Sequence, residues 1–254
     1  MTTLTLLTKI KDNNQLKQIH KDLKTHLGGL KVKWKILGKV FGGWVQISLL
    51  GEDEGIAANY LIQKIGLCPI SLDAVKKNST LKGYIHNIGR DSKRLSLDVG
   101  VFQPKIVPAI IPLINLQKEL AEGRRATLRT IVDLFGFCEG LPVEIKVDSL
   151  DENKTNINAS LSSEQINIYH VWQESLLQRL LVVHSSLQEI EMVLKHSKLY
   201  RDVIDVESLS FFAHALTCKL GTDAAGLIPK IGKNLKNARF SLFNPMLLRN
   251  FLSK

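Results

Sequence analysis

Cysteine is scarce in this chain and poorly spaced for cross-linking. The 254 residues hold three, Cys68, Cys138 and Cys218, each about seventy or more positions from the next and never in a CxxC pair. An odd, scattered set argues against a disulfide framework. It also lacks the ligand count and spacing of a zinc site, so three half-buried thiols in a reducing cytoplasm are expected. Long apolar runs are missing as well. A membrane-crossing helix needs roughly 18 or more apolar residues, and the richest stretch, residues 106–116, is broken by Pro108, Pro112 and Asn115. No apolar amino-terminal segment with a small-residue cleavage site is present, so neither a membrane span nor a secretory leader is expected.

Catalytic motifs are equally sparse. The chain contains no GxSxG, no HExxH, no paired-cysteine zinc pattern and no dinucleotide fingerprint. Its seven histidines, His20, His26, His86, His170, His184, His196 and His214, are spread singly. The acidic run Glu52-Asp53-Glu54 is accounted for by a helix start, where carboxylates meet the positive end of the helix dipole. No catalytic residue, metal ligand or cofactor is therefore expected, and a non-enzymatic protein is the favoured class.

What the chain does have is positive charge. Lys and Arg number 34 against 24 Asp and Glu, a net of +10, which suits an acidic polymer as partner because cations that neutralise phosphates release counterions. Residues 1–70 carry 10 basic and 5 acidic side chains, whereas residues 71–163 carry 13 and 11 and residues 164–254 carry 11 and 8. The first third is the most electropositive.

Residues 1–72 read as a first α+β module. Residues 2–10 have strand composition, Asp12, Asn13 and Asn14 signal a helix cap, and Leu16, Ile19, Leu23 and Leu27 recur at helical spacing up to Gly28-Gly29. Lys17, Lys21 and Lys24 form a second stripe on that helix. Residues 30–37 alternate strictly, with Val32, Trp34 and Ile36 on one side and Lys31, Lys33 and Lys35 on the other. After Gly38 and Gly42-Gly43, residues 44–50 alternate again, Val45, Ile47 and Leu49 against Trp44, Gln46 and Ser48. A helix with Ile56, Tyr60, Leu61 and Ile65 follows, and a last strand is expected near 68–72. The order β-α-β-β-α-β is that of a ferredoxin-like unit. Its uncovered sheet face is expected to carry Lys31, Lys33 and Lys35 with Trp44 and Gln46, as in single-strand RNA platforms where bases stack and phosphates pair.

Residues 73–163 change to short strands at 81–88, 95–101, 106–113, 141–147 and 155–161, with a largely helical insertion at 114–140 and polar turns at 90–93 and 148–154. Five strands with helix between the third and fourth is the order of an OB barrel. Lys82-Gly83-Tyr84-Ile85, Leu97-Asp98-Val99-Gly100-Val101, residues 141–147 and residues 156–162 make this segment similar to the RNA-binding OB domain named after the largest protein of the small ribosomal subunit. The second and third strands lack the aromatics such domains present, leaving Tyr84 and His86 as substitutes. Arg90, Lys93 and Arg94 in one loop, and Arg124, Arg125 and Arg129 in the insertion, are candidate phosphate contacts.

Residues 164–254 repeat the first order. A polar connector anchored by Tyr169 and Trp172 leads to a strand at 180–183. A helix capped by Ser185-Ser186 follows, then strands at 203–209 and 212–220, a helix capped near Thr222-Asp223, and a strand at 238–243. The segment 221–233, with Gly221, Thr222, Gly226, Lys230 and Lys233, is a candidate anion loop, although it is not a Walker loop. The fold expected is α+β, a five-stranded OB-like barrel flanked by two ferredoxin-like modules.

Gly43-Trp44-Val45-Gln46-Ile47 with Gly51-Glu52-Asp53-Glu54, together with residues 218–228, resemble an archaeal family catalogued as domain of unknown function 2110. The resemblance runs end to end and implies an archaeal, cytoplasmic protein, with no activity attached. The function expected is a non-catalytic RNA-binding accessory factor in translation or RNA metabolism. The alternatives are a protein-interaction adaptor working through sheet edges and a nucleotide- or RNA-modifying enzyme working at 221–233. RNA, or else a protein, is the expected partner; no membrane is.

Overall fold

The computed structural model describes residues 1–151 and 155–253. The chain divides into two compact units, one of residues 1–71 with 100–106, the other of residues 72–99 with 107–254.

The first unit opens with strand β1 (Thr2–Lys9) and helix α1 (Asn13–Leu27). The helix starts where the sequence caps it: the Gln15 N–H donates to the Asp12 carboxylate at 2.9 Å, and the Gln15 side chain accepts from the Lys11 N–H at 2.7 Å. Ile19, Leu23 and Leu27, one turn apart, are buried. Strands β2 (Val32–Val40) and β3 (Trp44–Gly51) and helix α2 (Glu54–Lys64) follow. The sheet order is β1-β3-β2, all antiparallel. β3 is therefore central and β2 an edge. The last strand expected near 68–72 is reduced to a bridge between Leu67 and Leu6 on the outer side of β1 and to the two-residue β4 (Ile70–Ser71). The module thus keeps the βαββαβ order, with a vestigial final strand.

In the second unit, strands β5 (Thr80–His86) and β6 (Arg94–Asp98) come first. The short β7 (Val101–Gln103) pairs in parallel with β4 and so belongs to the first unit, a pairing that neither segment's sequence signals. Then come β8 (Ala109–Pro112), helices α3 (Leu113–Leu120) and α4 (Leu128–Phe135), and strands β9 (Pro142–Leu150) and β10 (Ile157–Leu161). These close a barrel in the order β10-β8-β6-β5-β9, with β8 and β10 parallel and every other pair antiparallel. The expected five strands and intervening helical insertion are all present. β9 runs to Leu150, into the stretch expected as a polar turn over 148–154, and residues 152–154 of that turn lie outside the described residues.

Helix α5 (Ser163–Glu174) connects the barrel to a sheet of β11 (Arg179–Val183), β12 (Val203–Ser210), β13 (Ala213–Cys218) and β14 (Arg239–Phe243), interleaved with α6 (Leu187–His196) and α7 (Ala224–Gly232). The sheet order is β12-β13-β11-β14, antiparallel throughout. α6 begins with a reciprocal capping box between Ser186 and Glu189. A final helix, α8 (Pro245–Leu252), was not expected. Its signals are Asn244, whose side chain accepts from Met246 and Leu247, and Pro245 in the first turn.

Both faces of this sheet are covered. Leu180, Val182, Leu216 and Cys218 pack with Ile190, Leu194, Leu227 and Ile231. On the opposite face, Phe243 meets Trp172 at 5.4 Å between ring centroids, Tyr169 meets Phe135 at 5.2 Å, and Trp172 meets Tyr169 at 5.6 Å. Such pairs add about 0.5–1.5 kcal/mol each beyond burial. Arg179, 6% exposed, donates to the Trp172 and Leu177 carbonyls at 3.2 and 3.0 Å and to Ser175 Oγ at 2.9 Å, with its guanidinium 5.1 Å from the Trp172 ring centroid. It closes the carbonyl end of α5.

Two predictions follow from this packing. Gly136 ends α4 in the left-handed region (φ 66°), and an added Cβ would lie 2.6 Å from the Leu242 carbonyl oxygen. Gly136→Ala therefore destabilises the fold by roughly 2 kcal/mol or more, measured by denaturant unfolding. His214 is 2% exposed, with Nδ1 3.1 Å from Ser208 Oγ, and burial pushes its imidazole down from 6.5 to about 4. The unfolded chain takes up this proton first. Stability present above pH 6.5 is thus lost as pH falls towards 4, by about 3 kcal/mol at most. His214→Gln flattens that part of the stability-against-pH curve.

Candidate nucleic-acid interface

α1 turns its buried stripe to the sheet, which leaves Lys17, Lys21 and Lys24 exposed. β2, as an edge strand, exposes Lys33, Lys35 and Lys39 at alternate positions. Among the described residues, Lys17, Lys21, Lys24, Lys33 and Lys35 have no ion pair or side-chain hydrogen bond. Lys31 is different. Its ammonium lies 3.0 Å from the Glu52 carboxylate and its N–H donates to Asp53 at 2.7 Å, so it leaves the free set because the acidic start of α2 neutralises it.

Between α1 and β2 lies an open cleft of about 380 Å³ lined by Leu16, Lys17, His20, Trp34, Lys35 and Ile36. The Trp34 ring is half-buried and stands 4.9 Å from the His20 ring, inclined at 58°. Alternation places Trp34 on the helix-covered side, as expected. Yet β2 lies at the sheet's edge, so Val32, Trp34 and Ile36 remain partly open instead of entering the core. Neither Trp34 nor His20 was marked as a site residue. The legible signal was Trp34 itself, a large aromatic interleaved with lysines.

Trp44, the tryptophan expected on the open face, is buried. It is 1% exposed, with the Lys9 ammonium 4.8 Å from its ring centroid. It begins β3, which is central and covered on both faces; Thr5 and Ser48 on the face opposite the helices are buried too. The expected open platform is therefore closed over β1 and β3, and Gln46 is half-buried.

In the barrel, Tyr84 is 6% exposed and cannot stack on a ligand. His86 is half-buried, with Nε2 3.1 Å from Asn87 Nδ2. Arg90 and Lys93 are exposed, whereas Arg94 donates to Asp91 at 2.7 Å. The Lys93 N–H, with Arg94, holds the Asp91 carboxyl below its ordinary range. Arg124 is half-buried, and Arg125 and Arg129 are exposed, in and after the connection of α3 to α4.

The anion-loop expectation is corrected. At the start of α7 the Ala225 N–H donates to the Asp223 carboxylate at 3.1 Å, the Ala224 N–H to Gln178 Oε1 at 3.0 Å, and the Gly226 N–H to the Asp223 carbonyl at 3.1 Å. The donors an anion needs are engaged, and a carboxylate stands among them. Gly221 forms the preceding turn at φ 86°, Thr222 is half-buried, and Lys230 and Lys233 point outward from the helix end.

A second cavity, about 130 Å³, lies where β5, β9, α5 and β12 meet. Three of the charged groups lining it, Lys82, Glu144 and Glu207, are engaged with the protein. The Lys82 ammonium donates to the Leu209 carbonyl, Ser162 Oγ donates to Glu144 at 2.7 Å, and Trp172 Nε1 to Glu207 at 3.2 Å. Burial draws the Lys82 ammonium below its ordinary range, against the pull of Glu144. These contacts tie the barrel to the C-terminal sheet. All three cysteines are free and buried, and burial pushes Cys138 up to about 12 and Cys218 up to about 11, so both stay protonated and weakly nucleophilic. Among the described residues no three His, Cys, Asp or Glu side chains gather as a metal site, and no helix is long and apolar enough to cross a membrane.

The fold and surface define a mixed α+β protein that contains a closed five-stranded barrel in its second unit, with an uncompensated lysine surface and an aromatic cleft on its first unit. The chain belongs to the DUF2110 family: the N-terminal domain of that family matches residues 3–69, the central domain residues 75–173 and the C-terminal domain residues 177–243. No curated protein matches it. Among solved structures, it is similar to a chain of the a/eIF2alpha–aDim2p–rRNA complex from Pyrococcus horikoshii OT3, with 16% identity over 51% of this chain and 70% of that one and a TM-score of 0.24. It is also similar to the intact alpha subunit of aIF2 from Pyrococcus abyssi, with 11% identity over 67% of this chain and 97% of that one and a TM-score of 0.25. Likenesses this slight say nothing of what this chain binds.

Of the three tryptophans, Trp44 and Trp172 are 1% and 4% exposed, while Trp34 borders open space. Acrylamide is therefore expected to quench one component of the intrinsic fluorescence, and Trp34→Phe to abolish that component while leaving the unquenched emission unchanged.

Proposed function

We propose that this protein is a non-catalytic RNA-binding accessory factor, acting in translation or RNA metabolism, that holds RNA on the lysine surface of its first unit. The observation that carries the proposal is the set Lys17, Lys21, Lys24, Lys33 and Lys35, exposed on α1 and β2 with no carboxylate partner. Lysines held apart from acids repel one another and gather condensed anions; a phosphate chain relieves that repulsion and gains the entropy of released counterions. The surrounding acids do not offset it, since Asp12 caps α1, Asp22 lies 3.5 Å from His26, and Glu52 is bound to Lys31.

The barrel adds support at the level of fold alone. Its strand order is one that oligonucleotide binders use, and Arg90, Lys93, Arg125 and Arg129 are exposed around it. Its outward positions on β6, however, are Arg94, Ser96 and Asp98, with no aromatic among them, so base stacking is assigned to the first unit. The anion loop and the buried thiols offer an enzyme reading nothing.

Binding of mixed-sequence single-stranded RNA to the full chain is expected to weaken steeply as salt rises. Each neutralised phosphate contributes about 0.7 to the slope of log K against log salt. The triple variant Lys17→Ala/Lys33→Ala/Lys35→Ala is expected to lower that slope by about 2, read by fluorescence anisotropy across a salt series. An unchanged slope removes this surface from the proposal, and no detectable binding at low salt sinks the proposal itself.

A further inference from the structure

We infer that the cleft between α1 and β2 is a seat for one unpaired nucleobase, which stacks on Trp34 while the phosphates flanking it meet Lys17 and Lys35. The inference rests on the RNA-binding reading and narrows it to single strands. Three observations carry it. First, Trp34 borders open space from an edge strand, in a chain whose other tryptophans are buried. An apolar ring left open beside a helix loses the benefit of burial unless a flat partner covers it. Second, the ring is braced. His20 lies 4.9 Å away at 58°, with Leu16 and Ile36 completing the walls, so the tryptophan is held at an angle before a ligand arrives and little rotamer freedom remains to be lost. Third, the cations bordering the cleft, Lys17 and Lys35, are without ion pairs among the described residues.

An aromatic face in a cleft bordered by two unpaired cations matches the composition of a nucleotide within a strand, a flat base with a phosphate on either side. A purely polyanionic ligand has no use for the ring, and an apolar peptide has none for the lysines. A volume of about 380 Å³ falls at the small end of ligand clefts and suits one base with its sugar. The face of a paired base is hidden in the helical stack, so duplex RNA cannot enter without unstacking. Every base has a π-face, so the seat tolerates any sequence, with purines ahead of pyrimidines through their larger stacking area.

The experiment uses the full chain with two single strands of equal length and charge, oligoadenylate and a base-free ribose-phosphate strand, and with an RNA duplex, whose two backbones carry about twice the charge per unit length. The oligoadenylate is expected to quench the Trp34 emission and the base-free strand to leave it unchanged. Trp34→Ala is expected to weaken oligoadenylate binding by about 5- to 150-fold without altering the salt slope, whereas Trp34→Phe retains most of the affinity. Equal affinity and equal quenching for the base-bearing and base-free strands overturn the base seat. In that event a steep salt slope that is lowered in the lysine variants leaves the RNA-binding reading standing. Quenching of the Trp34 emission by the duplex as strong as that by oligoadenylate also overturns the base seat. The comparison of strands is made on the unaltered protein, so it decides the matter even where a tryptophan variant fails to fold.

Discussion

Arg179 and the rings around it govern what the larger unit of this protein can expose. The guanidinium is buried on the first strand of the C-terminal sheet, bonded to the carbonyl end of α5 and stacked on Trp172. Burial lowers the guanidinium from its ordinary range, while Glu207 and Asp205 draw it back. With Phe135, Tyr169 and Phe243 beside it, this arrangement fastens the barrel's helical insertion and the connecting helix to the face of the sheet that α6 and α7 leave uncovered. A sheet sealed on both sides has no platform to offer, and the barrel and the C-terminal module become one packed body.

The two βαββαβ modules therefore share an element order and differ in what covers them. In the second, four full strands lie between helices on one face and aromatic rings on the other. In the first, the last strand shrinks to a bridge, three strands carry the sheet, and β2 is left as an edge with half-open side chains. Where charge is buried in the larger unit it is bound: Lys82 and Arg179 donate to carbonyls, and their charge is spent on holding the fold. In the smaller unit the lysines of α1 and β2 are left to the solvent, next to the most accessible tryptophan. The same residue type is a strut in one setting and a free ligand group in the other, because burial forces a charge to find a partner and exposure does not.

Much of the fold was legible in the residues. The stripe Ile19, Leu23, Leu27 behind an Asp12 cap gave α1, five short strands around a helical insertion gave the barrel, and Ser185-Ser186 gave the start of α6. Local chemistry carries these, since periodicity and capping act over a turn or two. The site was legible only in part. Lys17, Lys33 and Lys35 were marked and are exposed, but Lys31 was lost to Glu52, twenty-one positions away in sequence. Trp44 was expected on an open face and is buried: alternation sets Trp44 on the outer face and Trp34 on the inner. Alternation cannot tell that β3 would become central and β2 an edge, which reverses their exposure. α8 was missed because its cap, Asn244-Pro245, directly follows a strand, and the pairing of β4 with β7 joins segments too short to announce themselves.

By itself the sequence determined most of the elements, their order and the basic excess of the first third, because each depends on neighbours along the chain. Tertiary structure alone decided which aromatic faces water, which lysines keep their charge unpaired and that the N–H groups at the start of α7 are engaged. Those outcomes depend on strand order and on contacts between distant segments, and a side chain's periodic position says which way it points without saying what lies there.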